Sequence, residues 1–510
     1  MISKTTQEQI NATLWRAADT FRGKIDSSLY KDYILVMLFI KYLSDVYKEN
    51  YEEYSKKYSG NEERIKRALS RERFALDEKS TFEYLYNERN SAKIGEIVNK
   101  ALERIEESNK SKLRGVFRNI DFNSEVILGK TNDRNAILRT LLNDFNGLDL
   151  RPSMLEGNDV IGDAYEYMIA QFASDAGKKG GEFFTPSMVS ELLARLVKPQ
   201  ENDRIYDPTC GSGSLLIRAF KKVPNGKAQI YGQERNGQTH ALCKMNMFLH
   251  GIDDAKIENG DTLSNPLHLE DGKLMQFQVV VANPPFSLDK WAMGFAGAEV
   301  DDKKFKMESA LDPYRRFDWG VPPSSKGDFA FIQHMLYSLA EEGRMGVVLP
   351  HGVLFRGASE GKIRKQIIEL NLLDAVIGLP ENLFFGTGIP AVVLIFKKNR
   401  TRNDILFIDA SGEGNYEKGK NQNKLREEDL QKIEKVYNNY ETVDKYSYLA
   451  SFDEIKENDY NLNIPRYVDT FEEEEMVDMD AVAQNIANIK AELKDVEEQM
   501  AKYLKELGIN

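Results

Sequence analysis

The stretch Phe277–Phe286, FQVVVANPPF, joins a short apolar run to an asparagine, two prolines and an aromatic ring. Those last four residues suit one kind of chemistry, the activation of an amine whose lone pair is drawn into an aromatic ring. Asn283 offers a carboxamide oxygen and Pro284 a backbone carbonyl, and both can accept the hydrogens of such an amine. Two acceptors pull the nitrogen toward a tetrahedral shape and free its lone pair. Pro284 and Pro285 carry no N–H to compete for those acceptors. Phe286 supplies a flat face for a nucleobase taken out of its stack. The plainer reading is a proline-rich strand exit with a capping asparagine.

Such a group must be held by a strand. Phe277 to Val281 is apolar or β-branched apart from Gln278, and Pro ends the run. That pattern is a buried parallel strand whose carboxyl end carries the chemistry. Ligands bind at that end in open α/β sheets. Three earlier runs end in polar turns of the same kind. Arg204-Ile205-Tyr206 leads to Asp207-Pro208, and then Thr209-Cys210-Gly211-Ser212-Gly213-Ser214 turns into a helix from Leu215 to Phe220. Strand, glycine turn and helix make a nucleotide-type cradle, although the third glycine of the dinucleotide pattern is replaced by Leu216. Gln229 to Gly232 ends at Gln233-Glu234, and an acid there can accept both hydroxyls of a ribose. A helix over about 237–250 leads to Asn259-Gly260-Asp261-Thr262-Leu263. Asp261 is either an ordinary turn aspartate or the acceptor of an adenine amino group. Asp207 has no cationic neighbour in sequence and can balance an ammonium or a sulfonium. The order of these four turns implies S-adenosylmethionine as cofactor.

Ahead of them, Gly162 to Ala173 reads as a helix, and Gly177-Lys178-Lys179-Gly180-Gly181 as a flexible, mildly basic loop. Glu182-Phe183-Phe184-Thr185-Pro186-Ser187 follows, with Thr185 or Ser187 placed to cap a helix striped by Met188, Val189, Leu192, Leu193 and Leu196. This loop is either a simple cap or a lid, with Phe183 or Phe184 against an adenine. After the NPPF turn, 287–326 lacks periodicity, as mobile or functional stretches do, and is placed to close over the target base. Asp328 is expected to cap a helix to about Glu341, ended by Gly343. Strands at 345–349, 373–378, 391–396 and 405–408, with a helix over 362–370, complete an α/β, doubly wound, mostly parallel sheet. Gly357–Lys362 resembles a phosphate loop, but only three residues separate its glycines and Ile363 stands where Ser or Thr must hold magnesium. No Pro-Cys pair is present to supply a nucleophile for a pyrimidine ring.

With 510 residues, the chain has room for two or three domains. No proline precedes Pro152, and helical spacing runs through residues 1–150, where Tyr30 to Tyr42 is apolar nearly all round and marks the centre of an α-helical domain. Arg64, Lys66, Arg67, Arg71 and Arg73 are read as a solvated face rather than a phosphate site. Residues 151–420 make the catalytic domain, with a mobile loop over 411–422, and 421–510 a helical tail. Two cysteines, Cys210 and Cys243, frame no disulfide network and no zinc site, so no metal is expected. No apolar run reaches membrane-span length and the first residues lack the core of a signal peptide, so a cytoplasmic protein without membrane contact is expected. The net charge of −12 disfavours unaided grip on DNA. Residues 471–510 carry eleven acids and four lysines, net −7. There Met479, Val482, Ile486, Ile489, Leu493, Val496, Met500, Tyr503 and Leu507 alternate spacings of three and four. That seam suits docking on another helix or helix pair better than packing on its own domain.

Taken together, the motifs resemble the methylation (M) subunit of type I restriction–modification systems, an adenine-specific DNA methyltransferase. The resemblance covers nearly the whole length. It rests on LWRAADTFRGKIDSSLYKDYILVMLFIKYLSD, GGEFFTP, DPTCGSGS, GQERN, NGDTL, NPPF, DWGVPP, HGVLFRG and GLPENLFFGTGIPAVVLIF. The FFTP loop standing ahead of the glycine turn matches the γ order of amino-methyltransferases. The resemblance implies that Glu182 to Ser187, the Thr209–Ser214 turn and Glu234 hold S-adenosylmethionine, with Asp207, Asp261 and Thr262 beside them. It implies that Asn283, Pro284, Pro285 and Phe286 handle a flipped adenine of double-stranded DNA. It also implies a separate specificity (S) subunit docked through the C-terminal helix, a second copy of the chain, and a motor–nuclease (R) subunit. Two alternatives are a protein glutamine methyltransferase, whose substrate amide is also a poor nucleophile, and a non-catalytic assembly subunit.

Overall fold

The apolar runs from Arg204 onward assemble into one nine-stranded sheet. The computed structural model describes residues 4–25, 27–157, 159–175, 185–300, 304–384, 388–420, 422–469 and 479–507. In chain order the strands are β1 Arg204–Asp207, β2 Gln229–Glu234, β3 Lys256–Asn259, β4 Phe277–Ala282, β5 Leu339–Pro350, β6 Leu373–Gly378, β7 Ala391–Lys397, β8 Ile405–Asp409 and β9 Ser447–Ala450. Across the sheet they lie in the order β9-β8-β6-β7-β5-β4-β1-β2-β3. The run β5-β4-β1-β2-β3 is parallel throughout. The chain moves outward from β1 to β3 and returns on the other side of β1 to form β4. The strand order therefore reverses between β1 and β4, where a ligand crevice opens at the carboxyl edge.

The mostly parallel, doubly wound expectation holds, with two additions that periodicity did not disclose. β7 runs antiparallel to both β5 and β6. β9 adds an antiparallel edge to β8. Helices cover both faces. One core packs Ser187–Val197, Ser214–Lys221 and Glu427–Asn439 on the sheet; another packs Asp328–Tyr337 and Ala358–Glu369 on the opposite face.

The amino-terminal helices form a third core around Ser27–Lys57, whose residues from Tyr33 to Ile40 are buried on every side. Helix Gln7–Phe21 opens with a reciprocal Thr6/Gln9 capping box. Helix Gly237–Leu249 belongs to two cores: Leu242, Met245, Phe248 and Leu249 face the helical bundle, and Cys243 and Met247 face the sheet. The bundle thus braces the helix that follows β2. Arg73 is part of that brace and not of a solvated face, since its guanidinium sits over the Phe248 ring and its Nε donates to Asp253 at 2.6 Å. Arg64, Lys66, Arg67 and Arg71 are exposed.

Several local expectations change. The helix from Asp328 ends at Tyr337, and the chain from Leu339 is already strand, because its backbone pairs with β4 rather than continuing the helix. The irregular stretch after β4 has its own core of Trp291, Phe295, Phe317 and Phe331, and contains a small hairpin pairing Glu299–Val300 with Phe305–Lys306. In the 411–422 loop, Glu417 pairs with Lys424 across a β-bridge. The compact unit runs to Val468, so the tail is shorter than composition suggests: β9 and helix Glu427–Asn439 pack with the sheet. The second unit holds one described helix, Met479–Glu506. Along it Ile489, Leu493, Val496, Met500 and Tyr503 are each more than half exposed, and the side chains of Met479 and Val482 lie outside the described residues.

Candidate active site

Asp207, Glu234, Asp261 and Asn283 all stand at or just beyond the carboxyl ends of β1 to β4, which are neighbours in the sheet. The parallel register alone brings them to one edge.

On the β1 side the turn is shaped by backbone bonds. Gly211 and Gly213 both have positive φ, and a Cβ on Gly213 would come within 2.6 Å of Met247 Cε and 2.8 Å of Cys243 Sγ. Only glycine lets the chain pass there. The Gly211 N–H donates to Glu234 Oε2 at 3.0 Å, and the Asn236 N–H donates to Oε1 at 2.7 Å. These bonds aim the Glu234 carboxylate into the crevice, and burial pushes its pKa up. Asp207 is buried and accepts the Thr209 N–H at 2.9 Å. It makes no ion pair among the described residues. Burial, reinforced by the charge of Glu234, pushes its pKa up to about 8 against the opposing Thr209 N–H. A carboxylate so desolvated calls for a cation from a ligand. Asp261 Oδ1 accepts the Leu263 N–H at 3.0 Å, and Oδ2 lies 3.9 Å from Arg235 Nη1. Thr262 faces inward, its hydroxyl donating to Pro208 O at 2.6 Å. Its side chain therefore ties the β3 turn to the β1 turn. Cys210 and Cys243 are free, buried thiols 3.8 Å apart under this turn.

The donor set fits a nucleoside with a cationic amino-acid tail. Asp207 can answer a positive charge, Glu234 can accept a diol and Asp261 an amine, and the glycine turn leaves room for close backbone approach.

On the β4 side, Asn283 and Pro284 are buried while Pro285 and Phe286 are half-buried. Asn283 Nδ2 donates to the Thr185 hydroxyl at 3.1 Å. In that orientation the amide keeps Oδ1 as its acceptor. Neither Thr185 nor Ser187 caps the next helix: Pro186 occupies the cap position with no side-chain bond, and Ser187 is exposed. The Thr185 hydroxyl is buried against Asn283 and accepts its amide N–H, a donor that would be costly to leave unpaired there. Glu182, Phe183 and Phe184 lie outside the described residues. Phe286 meets Phe384 edge to face, with centroids 5.8 Å apart. Asp328, expected as a helix cap, is fully buried: it accepts the Ser287 N–H at 2.8 Å and pairs with Arg356 at 2.9 Å. It fixes the residue that follows Phe286.

Sequence reasoning missed the group that carries this edge from below. Arg316, fully buried, pairs with Asp312 and donates to the carbonyls of Thr262 at 3.2 Å and Leu263 at 2.5 Å. Its Nη1 also donates to His334 Nδ1 at 3.1 Å. An arginine cannot accept, so His334 Nδ1 is the acceptor and Nε2 carries the hydrogen toward Tyr206 Oη, 3.1 Å away. Burial and the Arg316 charge keep His334 neutral, its pKa well below the usual value. The network links the residue before Asp207, the turn after Asp261 and the stretch after Phe286. The one sequence signal for it was Asp312 four residues before Arg316.

Comparison with known proteins adds independent findings. Residues 156–476 match the N-6 DNA Methylase family and residues 10–145 the HsdM N-terminal domain. The chain is 34% identical over its full length to the type I restriction enzyme MpnII methylase subunit of Mycoplasma pneumoniae, covering 98% of that protein. It is 34% identical to the MjaVIII methylase subunit of Methanocaldococcus jannaschii, with 99% of this chain and 86% of that one aligned. Its fold is similar to the crystal structure of the type I restriction-modification methyltransferase subunit from Streptococcus thermophilus, with a TM-score of 0.78 and 36% identity over 91% of this chain and 100% of the other.

Proposed function

The chain belongs to the N-6 DNA methylase family of type I restriction–modification methylase subunits, and from that premise we propose which of its residues carry the reaction. It is an S-adenosylmethionine-dependent, adenine-specific DNA methyltransferase acting as a modification subunit. The glutamine-methyltransferase and non-catalytic readings are not favoured.

In the proposed site, bound S-adenosylmethionine supplies a methyl group on a sulfonium. Asp207 holds the cationic tail, Glu234 the ribose hydroxyls and Asp261 the cofactor's adenine amine, with Thr209, Gly211, Ser212, Gly213 and Ser214 forming the cradle. Glu182 to Ser187 flank the same ligand. Asn283 Oδ1 and the Pro284 carbonyl accept the two hydrogens of the target's exocyclic amine, and Phe286 stacks on the flipped base. Thr185 keeps the Asn283 amide from rotating. Bound S-adenosylmethionine would supply the methyl group to the nitrogen whose lone pair these acceptors free, and the displaced amine proton would be released to solvent. No covalent enzyme intermediate is involved; the rate comes from positioning and from acceptors fixed in advance. The observation that carries this reading is Asn283, held by Thr185, on the same strand edge as Asp207 and Glu234.

The rest of the assembly follows from charge and exposure. A chain of net charge −12 suits a partner that reads and grips the DNA, and the exposed seam of helix Met479–Glu506 suits docking on helices of that specificity subunit. A second copy and a motor–nuclease subunit complete the complex. No described helix is long and apolar enough to cross a membrane, which is in keeping with a cytoplasmic place of work.

Labelled methyl transfer to DNA by the chain with its specificity subunit tests both parts. Transfer is expected with the full chain, is expected to fall by about 10²–10³-fold with Asn283→Ala, and is expected to be lost with a chain ending before residue 475. The shortened chain is expected to retain cofactor binding. Transfer to protein alone rejects the function, and intact assembly by the shortened chain rejects the docking helix.

A further inference from the structure

A concavity of about 410 Å³, with no part in the reaction as derived, is lined by Phe355, Lys362, Arg364, Lys365, Tyr460 and Arg466. Its four cations face a single lining acid, Asp459, in a chain whose net charge is −12. Lys362, Lys365 and Arg466 are exposed. Lys362 makes no ion pair among the described residues, and Lys365 pairs with Glu369 at 3.7 Å and lies over the Tyr460 ring, 5.2 Å from its centroid. Arg364 is buried and forms the floor, donating to the carbonyls of Tyr460 at 2.8 Å, Val353 at 3.1 Å and Arg356 at 2.8 Å. Burial lowers its pKa to about 10, so it stays charged at neutral pH. Phe355 is a large apolar side chain left 48% exposed beside these cations.

The concavity lies next to the catalytic turn. Phe355 and Gly357 bracket Arg356, which donates to Asp328 at 2.9 Å, and Asp328 accepts the N–H of Ser287, the residue after Phe286. This wall follows β5, the parallel neighbour of β4, so it rises from the same sheet edge. Cations clustered with an exposed aromatic ring are the arrangement that follows a nucleic-acid backbone and stacks on its bases.

We propose that this concavity binds phosphates of the DNA strand carrying the target adenine, with Phe355 against an adjoining base. The inference rests on the DNA-methyltransferase reading. Extruding a base costs unstacking and unpairing energy, and a local cation cluster offsets it where the rest of an acidic chain repels the backbone. The specificity subunit reads sequence elsewhere; this site holds the strand at the reacting nucleotide.

The test uses the modification complex, purified through a tag on the full chain, with unmethylated plasmid DNA between about 50 and 200 mM salt. Filter retention measures binding, and labelled methyl transfer at saturating DNA measures turnover. The variant K362Q/K365Q/R466Q is expected to bind about tenfold or more weakly and to flatten the slope of log K against log salt by about 2.7, or 0.9 per lost phosphate contact. Turnover at saturating DNA and S-adenosylmethionine affinity stay unchanged. Phe355→Ala weakens binding without changing the slope. The charge-matched control K198Q/K227Q/K256Q, at the amino ends of β1 to β3, leaves the slope as in the parent. An unchanged slope in the first variant, or an equal fall in the control, overturns the site while parent turnover upholds the function. Absence of methyl transfer by the parent overturns both.

Discussion

On the cofactor side of the carboxyl edge, Asp207 and Thr262 are buried, and the Glu234 carboxylate is fixed by two backbone N–H donors. On the base side, Pro285 and Phe286 are half-buried, and Phe286 rests edge-on against a single ring, Phe384. On the proposed assignment the first side meets the same small molecule in every turnover, and its groups are set beforehand by the strand ends and the glycine turn. The second must admit a nucleotide still attached to a polymer, so its aromatic face stays open. Only the two acceptors that need fixed directions, Asn283 and Pro284, are buried there. Rigidity is placed where geometry decides the rate, and openness where a large substrate must enter.

The sharpest way to separate the two sides is Asn283→Ala. Removing one preorganised partner of the reacting group is expected to lower turnover by about 10²–10³-fold. Calorimetric affinity for S-adenosylmethionine stays as in the parent, because Asn283 serves the base side alone. Equal loss of both would break the division.

Arg316→Met attacks the foundation common to both sides. It leaves Asp312 buried without its partner and the carbonyls of Thr262 and Leu263 without a donor, a loss of about 3–5 kcal/mol in stability. Chemical denaturation measures this. Cofactor affinity in the folded fraction is expected to fall as well, since the turn bearing Asp261 loses its anchor.

The pH dependence of cofactor binding probes Asp207. With a pKa pushed up to about 8, its carboxyl is mostly protonated at neutral pH in the free protein. A cationic ligand favours the charged form, so binding releases a proton. Apparent affinity is therefore expected to rise about tenfold per pH unit up to about pH 8 and to level off above it. Asp207→Asn should bind more weakly and lose that slope. A flat profile for the parent would detach Asp207 from the cationic group.

The smallest effect is expected from Thr185→Val, which removes the hydroxyl holding the Asn283 amide. Turnover should fall severalfold, about 1 kcal/mol for one hydrogen bond, with a smaller fall in cofactor affinity, since Thr185 belongs to the segment proposed to flank the ligand, and with melting temperature little changed. A cofactor-affinity loss larger than the turnover loss would mean that Thr185 serves the ligand more than it serves Asn283.

Much of this edge was legible in the chain. The turns after β1, β2 and β4 follow runs whose apolar residues are buried, because a strand inside a parallel sheet can turn polar only where it leaves the sheet, whereas β3, Lys256–Asn259, is an edge strand with only Ile257 buried. That placed Asp207, Glu234, Asp261 and Asn283 at strand ends without any knowledge of strand order. The seam of the terminal helix was equally plain, since spacings of three and four appear in sequence directly. Less local matters were misread. Thr185 and Asp328 carry the signature of helix caps, yet each is drawn to a partner far along the chain, Asn283 in one case and Ser287 with Arg356 in the other.

The residue types alone therefore determined the chemistry available, a pair of amine acceptors ahead of an aromatic face and three acids suited to a cationic nucleoside. Tertiary structure decided which of these groups share a crevice, because the reversal of strand order between β1 and β4 is a property of the assembled sheet. It also decided what supports them. The Tyr206–His334–Arg316–Asp312 network joins residues more than a hundred positions apart, and no periodicity marks a buried guanidinium whose partners are carbonyl oxygens common to every residue.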